Sequence, residues 1–301
     1  MIALFGPTGV GKTQTAIELA ALLRERGEDP VAISADAIQV YRGLDLLSGK
    51  PSAEQLDQLE HRLLSFVPLN EEYSAGQFAA AAHAEIDEAL AAGRTPIVVG
   101  GTGLYLRAAL TELELKPPPQ AGLREDIERD MAQIGAQRMH GLLSEDTAGS
   151  VHPNDRKRIV RALELERMGE RPYTRSDQLW SDELRRPASL FGIVAERDPL
   201  AARVSQRVDE MLSQGAAGEV EQAIELGISR TARKALGFRE LAAYAAGDVE
   251  RDEVAAEITR RHLAYAKRQM TWMRKLAGVE IVDRSEMTDA DAAHVVLAAV
   301  A

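Results

Sequence analysis

The residues with the clearest chemistry open the chain. Gly6-Pro7-Thr8-Gly9-Val10-Gly11-Lys12-Thr13 fits the pattern G-x-x-x-x-G-K-[ST]. Glycines in such a loop let backbone N–H groups turn inward around phosphate oxygens, and a following helix adds the positive end of its dipole. Lys12 then reaches the terminal phosphate, and the Thr13 hydroxyl is placed to ligate Mg²⁺. The loop predicts a bound di- or triphosphate. A second chemical group stands at Asp36, in Ser34-Ala35-Asp36-Ala37-Ile38-Gln39. A carboxylate there could hold metal or take a proton, and it could equally cap the next segment.

Loops of this kind that work on ATP usually have an acidic Mg²⁺ partner at the end of a later apolar strand. The obvious strand here, 97–99, runs into Gly100-Gly101-Thr102 with no carboxylate. Asp36, after an earlier strand, is the acid that remains. An ATPase or small-molecule kinase is therefore the default use of the loop, but not the one these residues favour.

These groups need a scaffold that gathers loop ends. Ile2–Phe5 is a short apolar run, and 12–26 carries Ala16, Leu19, Ala20 and Leu23 at helical spacing. A second strand at 31–34, an Ala-rich helix at 76–92 and a buried strand at 96–99 come next. The alternation predicts an α/β fold of the P-loop NTPase type, a parallel sheet flanked by helices. In such sheets ligands bind at the strand C-termini, so Asp36 should lie beside the phosphate loop. Lys116-Pro117-Pro118-Pro119 breaks the pattern. The chain beyond it is charged and helical in period, with Leu123, Ile127, Met131 and Ile134 in phase and no strand-like run. The expectation is an all-helical insertion domain over 116–187 within a core of 1–115 and 188–301. In that core 190–194 rejoins the sheet, Val279–Asp283 adds a strand, and a closing helix runs to 301.

The absence of cysteine excludes disulfides, thiolate metal sites and cysteine nucleophiles. No apolar run approaches a membrane span, and the start lacks a secretory signal. These features predict a cytoplasmic protein with no membrane partner. A net charge of −11, from 36 basic and 47 acidic residues, argues against a general nucleic-acid binder. The distribution is uneven, however. Arg260, Arg261, Lys267, Arg268, Arg274 and Lys275 crowd one stretch that has no acid. If it is helical, Leu263, Ala266, Met270 and Met273 are its buried stripe. Arg261, Tyr265, Arg268, Trp272 and Lys275 then share another face, suited to phosphate contact and base stacking. Arg156, Lys157, Arg158 and Arg161 form a second cluster. From charge alone, both read equally well as solvated helical faces.

Several segments in fixed order resolve the choice. They are the phosphate loop, Asp36-Ala37-Ile38-Gln39-Val40-Tyr41-Arg42-Gly43-Leu44-Asp45, Lys50-Pro51, His61-Arg62-Leu63-Leu64, Tyr73-Ser74-Ala75-Gly76-Gln77-Phe78 and Val99-Gly100-Gly101-Thr102-Gly103-Leu104-Tyr105. His152-Pro153-Asn154-Asp155, Arg158-Ile159-Val160-Arg161-Ala162-Leu163-Glu164, Leu236-Gly237-Phe238-Arg239 and Lys267-Arg268-Gln269-Met270-Thr271-Trp272 complete the series. Across nearly the whole chain it resembles the tRNA dimethylallyltransferases, also called tRNA isopentenyltransferases or the IPP transferase family.

The resemblance implies transfer of a dimethylallyl group from its diphosphate to N6 of the adenosine on the 3′ side of the anticodon. Asp36 would be the general base, and Thr102 would lie near the diphosphate and the target nucleotide. Lys12 and Arg207 would act at the diphosphate, which residues 6–13 cradle with Mg²⁺ on Thr13. A tRNA surface is implied at Asp36, Ala37, Ile38, Gln39 and Thr102, and on the insertion at Lys157, Arg158 and Arg161. It continues over Lys234, Gly237, Phe238 and Arg239, then Lys267, Arg268, Gln269, Trp272 and Arg274. The family expectation is a monomer. Without the resemblance, Thr102 could also be a plain turn or helix cap, and Arg207 reads better as part of a solvated helix face. The role of His61 stays open. A related enzyme acting on free adenine nucleotides is the main alternative, and it would not need the insertion or the basic helix. Three positions depart from the commonest family pattern: Ala37 after the aspartate, Ser65, and Ser48-Gly49 before Lys50-Pro51.

Overall fold

Ile2–Phe5 forms β1, a strand buried along its whole length. An all-apolar run of this kind belongs where both faces of a sheet are covered. The computed structural model describes residues 1–120, 122–172 and 177–300. The expected end of the closing helix at 301 lies outside them. After β1 come α1 (Lys12–Glu25), β2 (Pro30–Ser34), α2 (Asp45–Ser48), α3 (Ala53–Gln58), β3 (His61–Arg62), α4 (Ala75–Ala91), β4 (Thr95–Gly100) and α5 (Gly103–Leu110). The strands β5 (Ser189–Val194) and β6 (Val279–Asp283) complete one parallel sheet in the order β3-β2-β4-β1-β5-β6. β4 therefore lies between β2 and β1, with Leu4 opposite Val99 and Ser34 opposite the same residue. The loop after β4 is held between the loop after β2 and the phosphate loop after β1. Strand order, more than sequence spacing, is what assembles the site.

Three short elements, α2, α3 and β3, go beyond the expected pattern. β3 has too few residues to show a period, and its His61 donates from Nδ1 to Leu59 O at 2.7 Å, a local bond at the sheet edge. α3 begins with a capping box, in which the Ser52 hydroxyl accepts from Gln55 N and the Gln55 side chain accepts from Ser52 N. The same device at Ser74 and Gln77 starts α4. α4 buries Phe78 in stacked contact with Tyr105 of α5, ring centroids 4.2 Å apart. That face of the sheet carries one apolar core, and α1 builds a second core on the opposite face. No helix among the described residues is long and apolar enough to cross a membrane.

Contacts divide the chain into Met1–Leu113 with Trp180–Ala301, and Glu114–Leu179. The insertion is narrower than the expected 116–187, because the segment after Leu179 packs on the core. Trp180 stacks at a tilt on Trp272, Arg107 donates to Ser181 O at 2.9 Å, and Arg185 and Arg186 both bond Asp87 of α4. The insertion is helical: α6 (Leu123–Ile134), α7 (Ala136–His140), α8 (Glu145–Ser150) and α9 (Arg156–Arg167). It has its own core around Ile127, Met131, Met139, Ile159 and Leu163. Asp155 caps α9 by accepting from Arg158 N.

Within the insertion Arg161 is not an offered tRNA contact, which corrects the expectation. Its guanidinium bonds the fully buried Glu164 at 3.0 Å and the carbonyls of Lys116 and Pro117. Arg124 is the second partner of Glu164. A buried carboxylate recruits its cations because a lone buried charge is costly. Arg161→Ala should destabilise the insertion by about 2–4 kcal/mol. Chemical denaturation followed by circular dichroism checks this; an unchanged unfolding curve would return Arg161 to the surface cluster. Lys157 and Arg158 are exposed and remain available.

The core resumes with α10 (Arg197–Ser213), α11 (Ala216–Glu225), α12 (Phe238–Ala245), α13 (Arg251–Met273) and α14 (Asp289–Val300). The buried stripe of α13 is Val254, Ile258, His262, Ala266, Gln269 and Met273. Expected members Leu263 and Met270 are only half-buried. The stripe is rotated because two of its central positions, His262 and Gln269, face a polar cavity instead of an apolar core.

Candidate active site

A cavity of about 400 Å³ opens at the C-terminal ends of β1, β2 and β4. Its floor is the phosphate loop. Gly9 and Gly11 have φ of +78° and +96°, a region that L side chains avoid, and Gly11 starts α1. Lys12 Nζ donates to Pro7 O at 2.8 Å across the loop. Burial lowers the Lys12 pKa to about 8, with Asp36 pulling it up and Arg207 pushing it further down. Thr13 lines the same cavity.

Asp36 combines the two roles that its sequence position leaves open. Its Oδ1 accepts from Ile38 N at 2.9 Å and Gln39 N at 3.4 Å, so it caps the turn after β2. It also lines the cavity, and both of these bonds use the same oxygen. Thr102 faces it, accepting at Oγ1 from Ala37 N at 3.2 Å. That bond comes from the backbone, so the alanine side chain at position 37 does not affect it. Gln39 is held inside the site: its Oε1 accepts from Ser34 Oγ and its Nε2 donates to Gly49 O.

Arg207 enters from α10. Its guanidinium donates to Thr8 Oγ1 at 3.2 Å and Ser48 O at 3.4 Å. A Cβ at Gly49 would overlap this guanidinium, so the Ser48-Gly49 departure leaves space for the arginine. Burial lowers its pKa, and Asp36 opposes that. Lys12 and Arg207 thus put two cations beside one carboxylate in an enclosed space. Such an excess of buried charge is costly unless an anion completes it.

α13 forms the remaining wall. Gln269 is buried, with its Oε1 accepting from Thr8 N at 3.0 Å and its Nε2 donating to Gly101 O at 2.7 Å. It ties the phosphate loop to the loop after β4 and lines the same cavity. Tyr265 donates to Gly101 O at 3.4 Å, and burial pushes its hydroxyl pKa up to about 12. His262 is buried and bonds Ile258 O through Nδ1. Burial lowers its pKa, so the ring is neutral near pH 7 with Nε2 as the acceptor.

Other expected contacts divide by exposure. Lys234 and Arg268 line the cavity rim, and Arg239, Lys267 and Arg274 are exposed. Phe238 and Gly237 are buried in the core, so they position α12 and are not offered to a partner. Trp272 is half-buried against Trp180 and cannot act as a free stacking platform in this arrangement. Arg261 is paired with Glu240. Sequence reasoning misses Ser48, Leu47, Leu236 and His262 as lining residues. Ser48 carries a signal as a departure from the family pattern and Leu236 as part of a segment that carries the resemblance, while Leu47 and His262 carry none. Ser65, another departure, bonds Arg42 through its carbonyl and contacts Lys50 through its hydroxyl, outside the cavity.

The model of the IPP transferase family matches residues 39–276. The chain is 36% identical over 290 residues to tRNA dimethylallyltransferase 2 of Geotalea daltonii, covering 94% of this chain and 87% of that one. It is 38% identical to tRNA dimethylallyltransferase 1 of Citrifermentans bemidjiense, covering 91% and 89%. Among solved structures it is similar to the tRNA isopentenylpyrophosphate transferase of Bacillus halodurans, with a TM-score of 0.70 and 32% identity over 99% of this chain and 95% of that one. A eukaryotic dimethylallyltransferase acting on tRNA shares the fold, with a TM-score of 0.75 at 24% identity over 95% of this chain and 74% of that one.

Proposed function

We infer the reaction from one premise: the chain belongs to the IPP transferase family. The reaction is transfer of a dimethylallyl group from dimethylallyl diphosphate to an adenine amine of tRNA, and we place it at N6 of the adenosine 3′ to the anticodon. The observation that supports this site is one cavity lined by Asp36, Thr102, Lys12 and Arg207 together.

The adenine N6 lone pair is delocalised into the ring, so the amine is a poor nucleophile. Attack on C1 of the allyl group forms an N–C bond as the C1–O bond to diphosphate breaks. The proton lost from N6 passes to the Asp36 carboxylate, which acts as general base. Lys12, Arg207 and the loop amides stabilise negative charge growing on the leaving diphosphate. The Oγ1 lone pair of Thr102 takes the Ala37 N–H, which fixes the hydroxyl between base and leaving group. Thr13 would hold Mg²⁺, whose charge further neutralises the diphosphate. A single hydroxyl suits this hard cation, which keeps most of its water and takes phosphate oxygens. No cluster of carboxylates and imidazoles that could hold a metal occurs among the described residues. No nucleoside triphosphate is needed.

A base undergoing chemistry must leave its stack, so the adenosine is flipped into the cavity. Exposed Arg239, Lys267 and Arg274 give the core of the acidic protein local basic surface for tRNA phosphates, and Lys157 and Arg158 do the same for the insertion taken by itself. We propose that the enzyme works as a monomer in the cytoplasm.

Lys12 gives the reaction a pH dependence. In the free enzyme its charged form is lost as pH rises through about 8, so the cavity loses a cation needed for diphosphate. kcat/KM for dimethylallyl diphosphate should fall through that range, since this ratio reports free-enzyme ionisations. kcat at saturation should hold to higher pH, because bound diphosphate keeps the ammonium charged. Profiles of both constants check this, with Lys12→Met lacking the inflection.

The reaction itself is tested by incubating purified protein, Mg²⁺ and labelled dimethylallyl diphosphate with bulk tRNA or with AMP. Label should enter tRNA. Transfer to AMP alone would make this a free-nucleotide enzyme, and transfer to neither would require testing the loop with ATP.

A further inference from the structure

We infer that Arg284, held by Asp289, is a positioning residue that fixes the phosphate loop from behind in its diphosphate-binding conformation. This rests on the diphosphate reading of that loop. Arg284 comes directly after β6 and is only 6% exposed. Its backbone N donates to Val194 O at the end of β5, which locks the corner to the sheet. Its Nη1 donates to Val10 O at 2.5 Å and pairs with Asp289 Oδ1 at 2.5 Å. The Thr15 hydroxyl shares its one proton between Gly11 O at 3.1 Å and the same Asp289 oxygen at 3.3 Å. The C-terminal corner and the first turn of α1 therefore share one buried polar cluster.

Peptide geometry carries this bond into the site. In a trans peptide the C=O and the next residue's N–H point in opposite directions. With the Val10 carbonyl turned outward to Arg284, the Gly11 N–H is turned away from Arg284, toward the side of the loop that faces the cavity. The approach depends on glycine: a Cβ at Gly11 would overlap the guanidinium, and φ there is +96°. The Arg284 Nε is buried without a hydrogen-bond partner among the described residues. Burying a guanidinium with a donor left over is costly. A role in holding the loop accounts for keeping it there.

The test removes both charges together, so that neither is stranded: Arg284→Met combined with Asp289→Asn. Leu297→Ala on α14 serves as a destabilised control away from the loop. Calorimetry measures binding of inorganic diphosphate with Mg²⁺, and steady-state kinetics separates the two substrates. The double variant should remain folded, bind diphosphate about tenfold or more weakly, and raise KM for dimethylallyl diphosphate by the same factor with KM for tRNA unchanged. Leu297→Ala should lower the melting temperature without changing diphosphate affinity. Wild-type affinity in the double variant, or a loss matched by Leu297→Ala, would overturn the positioning role alone. A wild-type protein that does not bind diphosphate would overturn the loop reading and this inference with it.

Discussion

Asp36→Asn is expected to lower kcat for tRNA prenylation by about 10²–10⁴-fold, the range of a lost general base. The substitution isolates the chemistry. Asparagine keeps a carbonyl oxygen that can still accept from Ile38 N and Gln39 N, so the turn after β2 stays capped. It cannot take the N6 proton. Removing the carboxylate also removes the anion that offsets both Lys12 and Arg207. Diphosphate should therefore bind at least as tightly as in the wild type while turnover collapses. Asp36→Ala loses the cap as well, at about 1 kcal/mol of additional stability. Single-turnover rates with intact tRNA, together with diphosphate titration, separate these effects. Near-normal turnover in Asp36→Asn would remove the aspartate from the proton transfer.

Lys12→Met should have the second-largest effect. kcat/KM for dimethylallyl diphosphate is expected to fall about 10²–10³-fold, comparable to losing a preorganised donor at a developing negative charge. Methionine conserves most of the buried volume, so little of the loss should come from unfolding. Lys12 donates to the neutral carbonyl of Pro7 and shares the Asp36 charge with Arg207, so a bound diphosphate supplies the negative charge that the pair of cations still lacks. Arg207→Met should fall in the same range. The double variant should lose less than the sum, because both cations act on one leaving group. Additive losses would mean that the two residues serve separate steps.

The phosphate loop and Asp36 are legible in the sequence because their chemistry depends on residue type at short range. The parallel sheet is legible too, since β1, β2 and β4 are buried apolar runs between helical stretches. Arg207 is not legible from its own surroundings. It lies in a charged helix whose neighbours are solvated, and only the family resemblance singles it out. What brings it in is the packing of α10 and the space at Gly49, both of which are tertiary. The basic helix shows the opposite failure. Its charge run suggests one continuous nucleic-acid face, yet Arg261 is spent on Glu240 and Trp272 on Trp180. Gln269 is singled out in the sequence only by the resemblance, and nothing local shows that it is buried. It is buried because the phosphate loop leaves Thr8 N needing an acceptor. Arg284 gives no local signal at all, since its partner Val10 lies at the far end of the chain.

The most direct measurement digests tRNA to nucleosides after incubation with dimethylallyl diphosphate and Mg²⁺, for the wild type and Asp36→Asn in parallel. Mass spectrometry should find one prenylated adenosine, carrying the group on N6 and mapping to the 3′ side of the anticodon, in the wild type and almost none in the variant. Prenyl label on another base, or equal yields from both proteins, would contradict Asp36-dependent transfer at this cavity.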